Sequence, residues 1–270
     1  MISPDALYQH IVNDDQSLKV LAATDLTTYR QEHVPGASHV WWQDTMELNA
    51  RYYGMVLKPD DNQGNQNRRV RFLERLGVSS IDSVVVYGEN EPGYAARVCW
   101  FLRFLGINAA VLDGGQAGWL GINGSVTDHI PDTQESTDPI VTPQENYYLF
   151  AEEIANLSLA PGVQLIDLRE TEERTKGPYR GLKIGGAIDV PRSHLVNELG
   201  LIRAAGELTR ITQATGIDLG AQLILIAPTG LDAANAWLAF SLLGARTVTI
   251  SDGGWQEWVE IPGLPLNSLA

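Results

Sequence analysis

The sequence is short of thiols, of positive charge and of long apolar runs, and each shortage closes off a class of function. Its one cysteine is Cys99, so no disulfide can form within the chain and no metal centre can be built from several thiolates. Nineteen lysines and arginines face thirty-three aspartates and glutamates, for a formal net charge of −14. Such a surface repels phosphate backbones and anionic lipid, so neither nucleic acid nor membrane is expected as a partner. No stretch reaches the roughly 18 uninterrupted apolar residues of a membrane span. Residues 1–9 lack the basic patch and apolar run of a secretory signal, and a cytoplasmic location is the expectation. His10, His33, His39, His129 and His194 have no ligand-like spacing, so no metal and no cofactor is implied.

What is present is a globular balance, 44% hydrophobic and 19% charged, over 270 residues, a length that suits two domains. The chain also repeats itself once. Residues 18–27 (LKVLAATDLT) match 162–169 (GVQLIDLR), which sets Asp25 against Asp167. Residues 29–40 match 179–190, both running from Tyr-Arg to Gly-Ala. The strand-like runs SVVVY (83–87) and QLILI (222–226) are each followed by a helical run that ends in Leu-Gly, at 106 and 244. Each half then closes with Asp-Gly-Gly, in 111–119 and 249–258. Strands alternating with helices predict an α/β fold, in which each half is a parallel sheet flanked by helices. The Pro-rich polar stretch 128–143 is the expected linker between domains at 1–127 and 144–270. In such sheets ligands sit at the carboxyl ends of the strands.

Four elements together resemble the rhodanese superfamily, in particular the two-domain thiosulfate and 3-mercaptopyruvate sulfurtransferases. They are D-x-R at Asp167–Arg169, H-x-P-G-A at His33–Ala37, the D-G-G closes that end at Trp119 and Trp258, and A-A-R-V-x-W at Ala95–Trp100. The resemblance implies two rhodanese-like domains and a six-residue active-site loop after the second QLILI-type strand. That loop begins with the nucleophilic cysteine, has glycine at its fourth place and ends in Thr, Ser or Arg. Here it is Ala227, Pro228, Thr229, Gly230, Leu231 and Asp232, so the cysteine falls on Ala227. The first-half counterpart is expected at residues 89–94, which also lack cysteine.

The chemistry the family implies needs a thiolate that takes a sulfane sulfur as a persulfide, and alanine has no atom for this. Thr229 offers a hydroxyl with no evident base, and a hydroxyl does not form a persulfide. Asp232 would repel an anion held by the loop and is expected to cap the following helix. The family's histidine and proline are Lys183 and Gly185 in the second half. Arg169, Arg180 and Lys183 are candidates for lining the pocket; as surface charges they would instead pair with Glu170, Glu172 and Glu173. Cys99, inside V-C-W-F-L, is expected to be a buried small hydrophobe. The tryptophans are expected to anchor cores or interfaces. The expectation is therefore a catalytically silent tandem rhodanese that binds or regulates an unknown protein or small-molecule partner. Two alternatives are a purely structural interaction protein and a sulfurtransferase whose cysteine was replaced in this chain, which the codon at position 227 would reveal.

Overall fold

The computed structural model describes residues 1–46, 63–89, 93–132, 139–144, 146–158, 160–176, 181–264 and 266–268. The chain divides into two compact units, with the main border after Gln144. The first contains α1 (Pro4–Val12), β1 (Leu18–Ala22), α2 (Leu26–Gln31), β2 (Ser38–His39), α3 (Gln63–Arg75), β3 (Ser83–Tyr87), α4 (Gly93–Phe104), β4 (Asn108–Val111) and α5 (Gly115–Gly121), with a 3-10 turn at Trp42–Thr45. Its sheet runs β2-β1-β3-β4, all parallel. Val84, Val85, Val86 and Tyr87 of β3 are all buried, as befits a strand with helices on both faces. Leu7, Val20, Tyr29, Val34, Val85, Tyr87 and Trp119 share one core.

The second unit contains β5 (Tyr148–Leu149), α6 (Ala151–Leu157), β6 (Val163–Asp167), α7 (Thr171–Thr175), β7 (Leu182–Ile184), β8 (Ile188–Asp189), a 3-10 turn at Arg192–Leu195, α8 (Ala205–Thr215), β9 (Gln222–Ile226), α9 (Ala234–Leu242), β10 (Thr247–Ser251), α10 (Gly254–Glu260) and β11 (Leu266–Ser268). Its sheet runs β5-β10-β9-β6-β8, again parallel, and β11 pairs antiparallel with β7 apart from it. Ile154, Leu165, Ile184, Ile224, Ile226, Trp255 and Trp258 lie in its core. Six of the seven tryptophans are buried, and Trp41 is 39% exposed.

The backbone hydrogen bonds fix how the halves correspond. Ala23 N–H donates to the Tyr87 carbonyl at 2.7 Å, as Leu168 N–H does to that of Ile226 at 2.8 Å. Val40 N–H donates to Ala22 at 3.0 Å, as Val190 N–H does to Asp167 at 3.0 Å. Asp167 therefore corresponds to Ala22, Arg169 to Thr24, and Asp25 to Glu170, which corrects the pairing of Asp25 with Asp167. A shared apolar run had hidden the three-residue offset. The edges also match. Ile2 N–H donates to Val111 O at 2.9 Å and Asp113 N–H to Ile2 O at 2.9 Å, while Ile250 N–H donates to Tyr147 O at 3.0 Å and Asp252 N–H to Leu149 O at 3.1 Å.

Both ends of the stretch expected as a linker are tied to the first unit. Thr127 and His33 exchange backbone hydrogen bonds of 2.9 Å, and the His129 carbonyl lies 3.1 Å from His33 Nε2. Thr142 and Gln144 N–H donate to the carbonyls of Leu105, just past α4, and of Phe104, its last residue, at 3.0 and 2.7 Å. Those carbonyls would otherwise end the helix unpartnered.

Candidate functional site

The loop 227–232 leaves the carboxyl end of β9, where a parallel sheet presents its ligand site. Ala227 is 0% exposed. Its carbonyl accepts the Trp255 N–H at 2.7 Å, which binds the loop to the Asp-Gly-Gly turn. A Cβ on Gly254, whose φ is +58°, would lie 2.7 Å from that carbonyl and 2.8 Å from that of Pro228. A Cβ on Gly230 would lie 2.6 Å from the Asp252 carbonyl. Glycine is needed at both places because two backbones touch there. The first unit repeats the contact: Gln116 N–H donates to Gly88 O at 2.9 Å, and a Cβ on Gly115 would lie 2.6 Å from the same oxygen. The counterpart of Ala227 is thus Gly88 and not Glu89. The first loop is one residue longer between Tyr87 and Leu105 than the second is between Ile226 and Leu243, which displaced the alignment.

Asp232 does not cap α9 in the expected way. The helix proper begins at Ala234, and Ala233 ahead of it makes no side-chain cap bond. Instead the Asp232 Oδ2 accepts the Thr229 N–H at 3.1 Å and the Thr229 hydroxyl at 2.7 Å, while the Asp232 N–H donates to the Thr229 Oγ1 at 3.3 Å. These are the reciprocal bonds of a capping box, Thr229 with Asp232 three residues on, made across the turn ahead of α9 and not at its N-cap. The signature T-x-x-D stands in the sequence and was the signal for it.

Behind the loop lies a buried ion network. Arg169 is 1% exposed; its Nη2 and Nε reach the Asp167 carboxylate at 2.7 and 3.0 Å, and Nη2 also donates to Leu182 O at 3.1 Å. Its guanidinium sits 3.4 Å above the Trp255 ring centroid, and its Nη1 has no hydrogen-bond partner among the described residues. Arg174 donates to the carbonyls of Asp167 and Arg169 at 3.1 and 2.7 Å and meets Asp189 at 3.1 Å. Lys183 meets Asp189 at 3.0 Å. The partners of Arg169 and Lys183 are therefore the strand-end aspartates and not Glu170, Glu172 or Glu173; for Arg169 the reason is that the buried Asp167 carboxylate has to be paired. Arg169 braces the loop from beneath, through Trp255. Arg180 lies outside the described residues.

Arg192, which the sequence did not single out, opens the turn after β8. It donates to the Glu173 carboxylate at 2.6 and 2.8 Å and approaches Glu170 at 3.9 Å. The hydrogen bonds to Glu173 hold its guanidinium more basic than usual against the opposing effect of burial, and the charges of Glu173, Asp232 and Glu170 add to this. Burial alone would raise the Glu173 carboxyl, but its bonds to Arg192 and to the Glu170 N–H bring it below the ordinary value. Cys99 is 1% exposed in α4, and burial pushes its thiol up to about 11, so it is no nucleophile at neutral pH. Among the described residues no cluster of three or more His, Cys, Asp or Glu side chains is placed to hold a metal, and no helix is long and apolar enough to cross a membrane.

Comparison with known proteins places this geometry. A family profile described as Rhodanese-like domain matches residues 3–121 and 150–261. The thiosulfate sulfurtransferase of Rattus norvegicus is 29% identical over 85% of this chain and 78% of its own. The sulfur carrier protein TtuD of Thermus thermophilus is 23% identical over 98% and 95%. The structure of the 3-mercaptopyruvate sulfotransferase SseA from Escherichia coli shares the fold with a TM-score of 0.77 at 24% identity, covering 94% of this chain and 98% of that one. The chain belongs to the rhodanese-like sulfurtransferase family and carries the family's domain twice.

Proposed function

We propose that this chain is a catalytically silent member of the family that works in the cytoplasm as a binding or regulatory module. Its partner is a protein or a small molecule, and the net charge of −14 argues against nucleic acid and anionic membrane. The observation that carries the reading is Ala227 at the first place of the loop. Sulfur transfer needs a thiolate there. It attacks the outer sulfur of thiosulfate, the S–S bond breaks, sulfite leaves with the electron pair, and a persulfide remains. Cyanide then takes the outer sulfur as thiocyanate and restores the thiolate. A methyl group can do neither step. The loop's one hydroxyl, that of Thr229, donates to Asp232 at 2.7 Å, and the only thiol is the sealed Cys99.

The test is thiocyanate formation from thiosulfate and cyanide, repeated with 3-mercaptopyruvate as donor. The expected rate is that of the buffer. Catalytic turnover by the unmodified chain on either donor would end this reading.

A further inference from the structure

The loop after β9 is closed in two ways, and the second does not depend on the first. We infer that Asp232 is a built-in substitute for a bound oxyanion, so that a thiol restored at position 227 alone would stay unactivated until position 232 is changed as well. This rests on the proposed silence of the chain and goes past it. It says that the block has two parts, and that the loop as it stands refuses small oxyanions such as thiosulfate and sulfate.

The argument follows the loop's backbone donors. A loop ahead of a helix holds an anion with its N–H groups and with the positive end of the helix dipole. Within 227–232, Pro228 has no N–H. The N–H of Thr229 is taken by the Asp232 carboxylate at 3.1 Å, and that of Asp232 by the Thr229 hydroxyl oxygen at 3.3 Å. The Thr229 hydroxyl, a further donor facing the same turn, is taken by the same carboxylate oxygen at 2.7 Å. These bonds thus occupy two of the loop's backbone donors, those of Thr229 and Asp232, together with its one hydroxyl, and they leave a carboxylate in the turn ahead of α9. The cation that feels the Asp232 charge does not offset this. Arg192 is already paired with the Glu173 carboxylate and lies 3.9 Å from that of Glu170.

The experiment compares three forms of the full chain: Ala227→Cys, Ala227→Cys with Asp232→Thr, and Ala227→Cys with Asp232→Asn. Thr and Asn are close to Asp in volume, and a thermal melt of each form shows that the fold is kept. The readouts are the rate of alkylation by iodoacetamide at neutral pH, to which the sealed Cys99 does not contribute, and the gain of one sulfur in intact mass after thiosulfate. The single variant is expected to alkylate slowly and to gain no sulfur. The pair with Asp232→Thr is expected to alkylate about tenfold faster, the effect of one unit of thiol acidity, and to gain sulfur. Asn removes the charge but still accepts from Thr229, so its pair is expected to stay with the single variant. If the single variant alone gains sulfur, or if Asp232→Thr speeds nothing, the inference falls. If the Asn pair matches the Thr pair, charge alone is the block and the donor argument falls. None of these outcomes touches the proposed silence of the unmodified chain, which its own turnover decides.

Discussion

At equivalent strand ends the two units place different chemistry. In the first, Ala22 and Thr24 end β1, and the helix behind carries Tyr29, whose hydroxyl donates to Ala37 O at 2.8 Å and whose ring stacks on His33 at 4.1 Å. In the second, Asp167, Arg169 and Arg174 fill the same three places with ions. The backbone hydrogen bonds that end the strands, and the close approach of Gly115 or Gly254 to the facing loop, recur in both. The repeated frame is therefore a matter of main chain, and what it encloses can be exchanged between neutral and charged. The exchange alters the risk. A neutral hydroxyl with one bond loses little when that bond is lost, whereas a buried carboxylate shared by two arginines cannot be removed without leaving charge unpaired.

The largest effect expected from this difference is that of Asp167→Ala, which strands the buried Arg169. It should lower the stability of the second unit by about 3–5 kcal/mol, read from urea unfolding. Tyr29→Phe, at the equivalent place in the first unit, should lower stability by about 1 kcal/mol. Equal losses for the two would show that the ions are no more structural than the hydroxyl, and the contrast would collapse. The smallest effect concerns Glu173, whose folded carboxyl is held below its ordinary 4.5 by Arg192 in spite of burial. A depressed carboxyl contributes stability above the unfolded value and loses it as pH falls through the folded one. The margin of the parent chain over Glu173→Gln should be below about 1 kcal/mol at neutral pH, since the pair is partly exposed, should begin to shrink as pH falls to 4.5, and should be gone below the lower folded value. A margin that persists in acid would mean that the side chain acts by packing.

The strands and helices of the repeat were legible because buried parallel strands are written as short continuous apolar runs, SVVVY and QLILI, and because Leu-Gly and Asp-Gly-Gly mark stops that the backbone requires. The loop holding Ala227 was legible for the same reason: it begins where QLILI ends. What failed were statements about partners. Asp25 and Glu89 were misplaced by counting from the wrong landmark, and only the hydrogen-bond register corrected them. Arg169 and Lys183 have nearby glutamates in the sequence, yet they meet aspartates at strand ends; for Arg169 burial makes that choice, which adjacent sequence does not report. Arg192 carries no local signature at all. The Thr229–Asp232 box was written plainly and was read as a single cap.

One feature of both sheets bears on how the chain is made. In each unit the segment ahead of the first helix, Ile2 in one and Tyr147–Leu149 in the other, is hydrogen-bonded to the unit's last parallel strand or the residues just beyond it. The earliest residues of a unit must therefore wait for nearly its latest before the edge can close. Closure of this kind joins positions far apart in sequence, the slow step for a parallel sheet. During synthesis the first unit has all its strands once β4 has emerged, while the second stays an open edge until β10 follows, so the half that carries the altered loop is the later to be sealed.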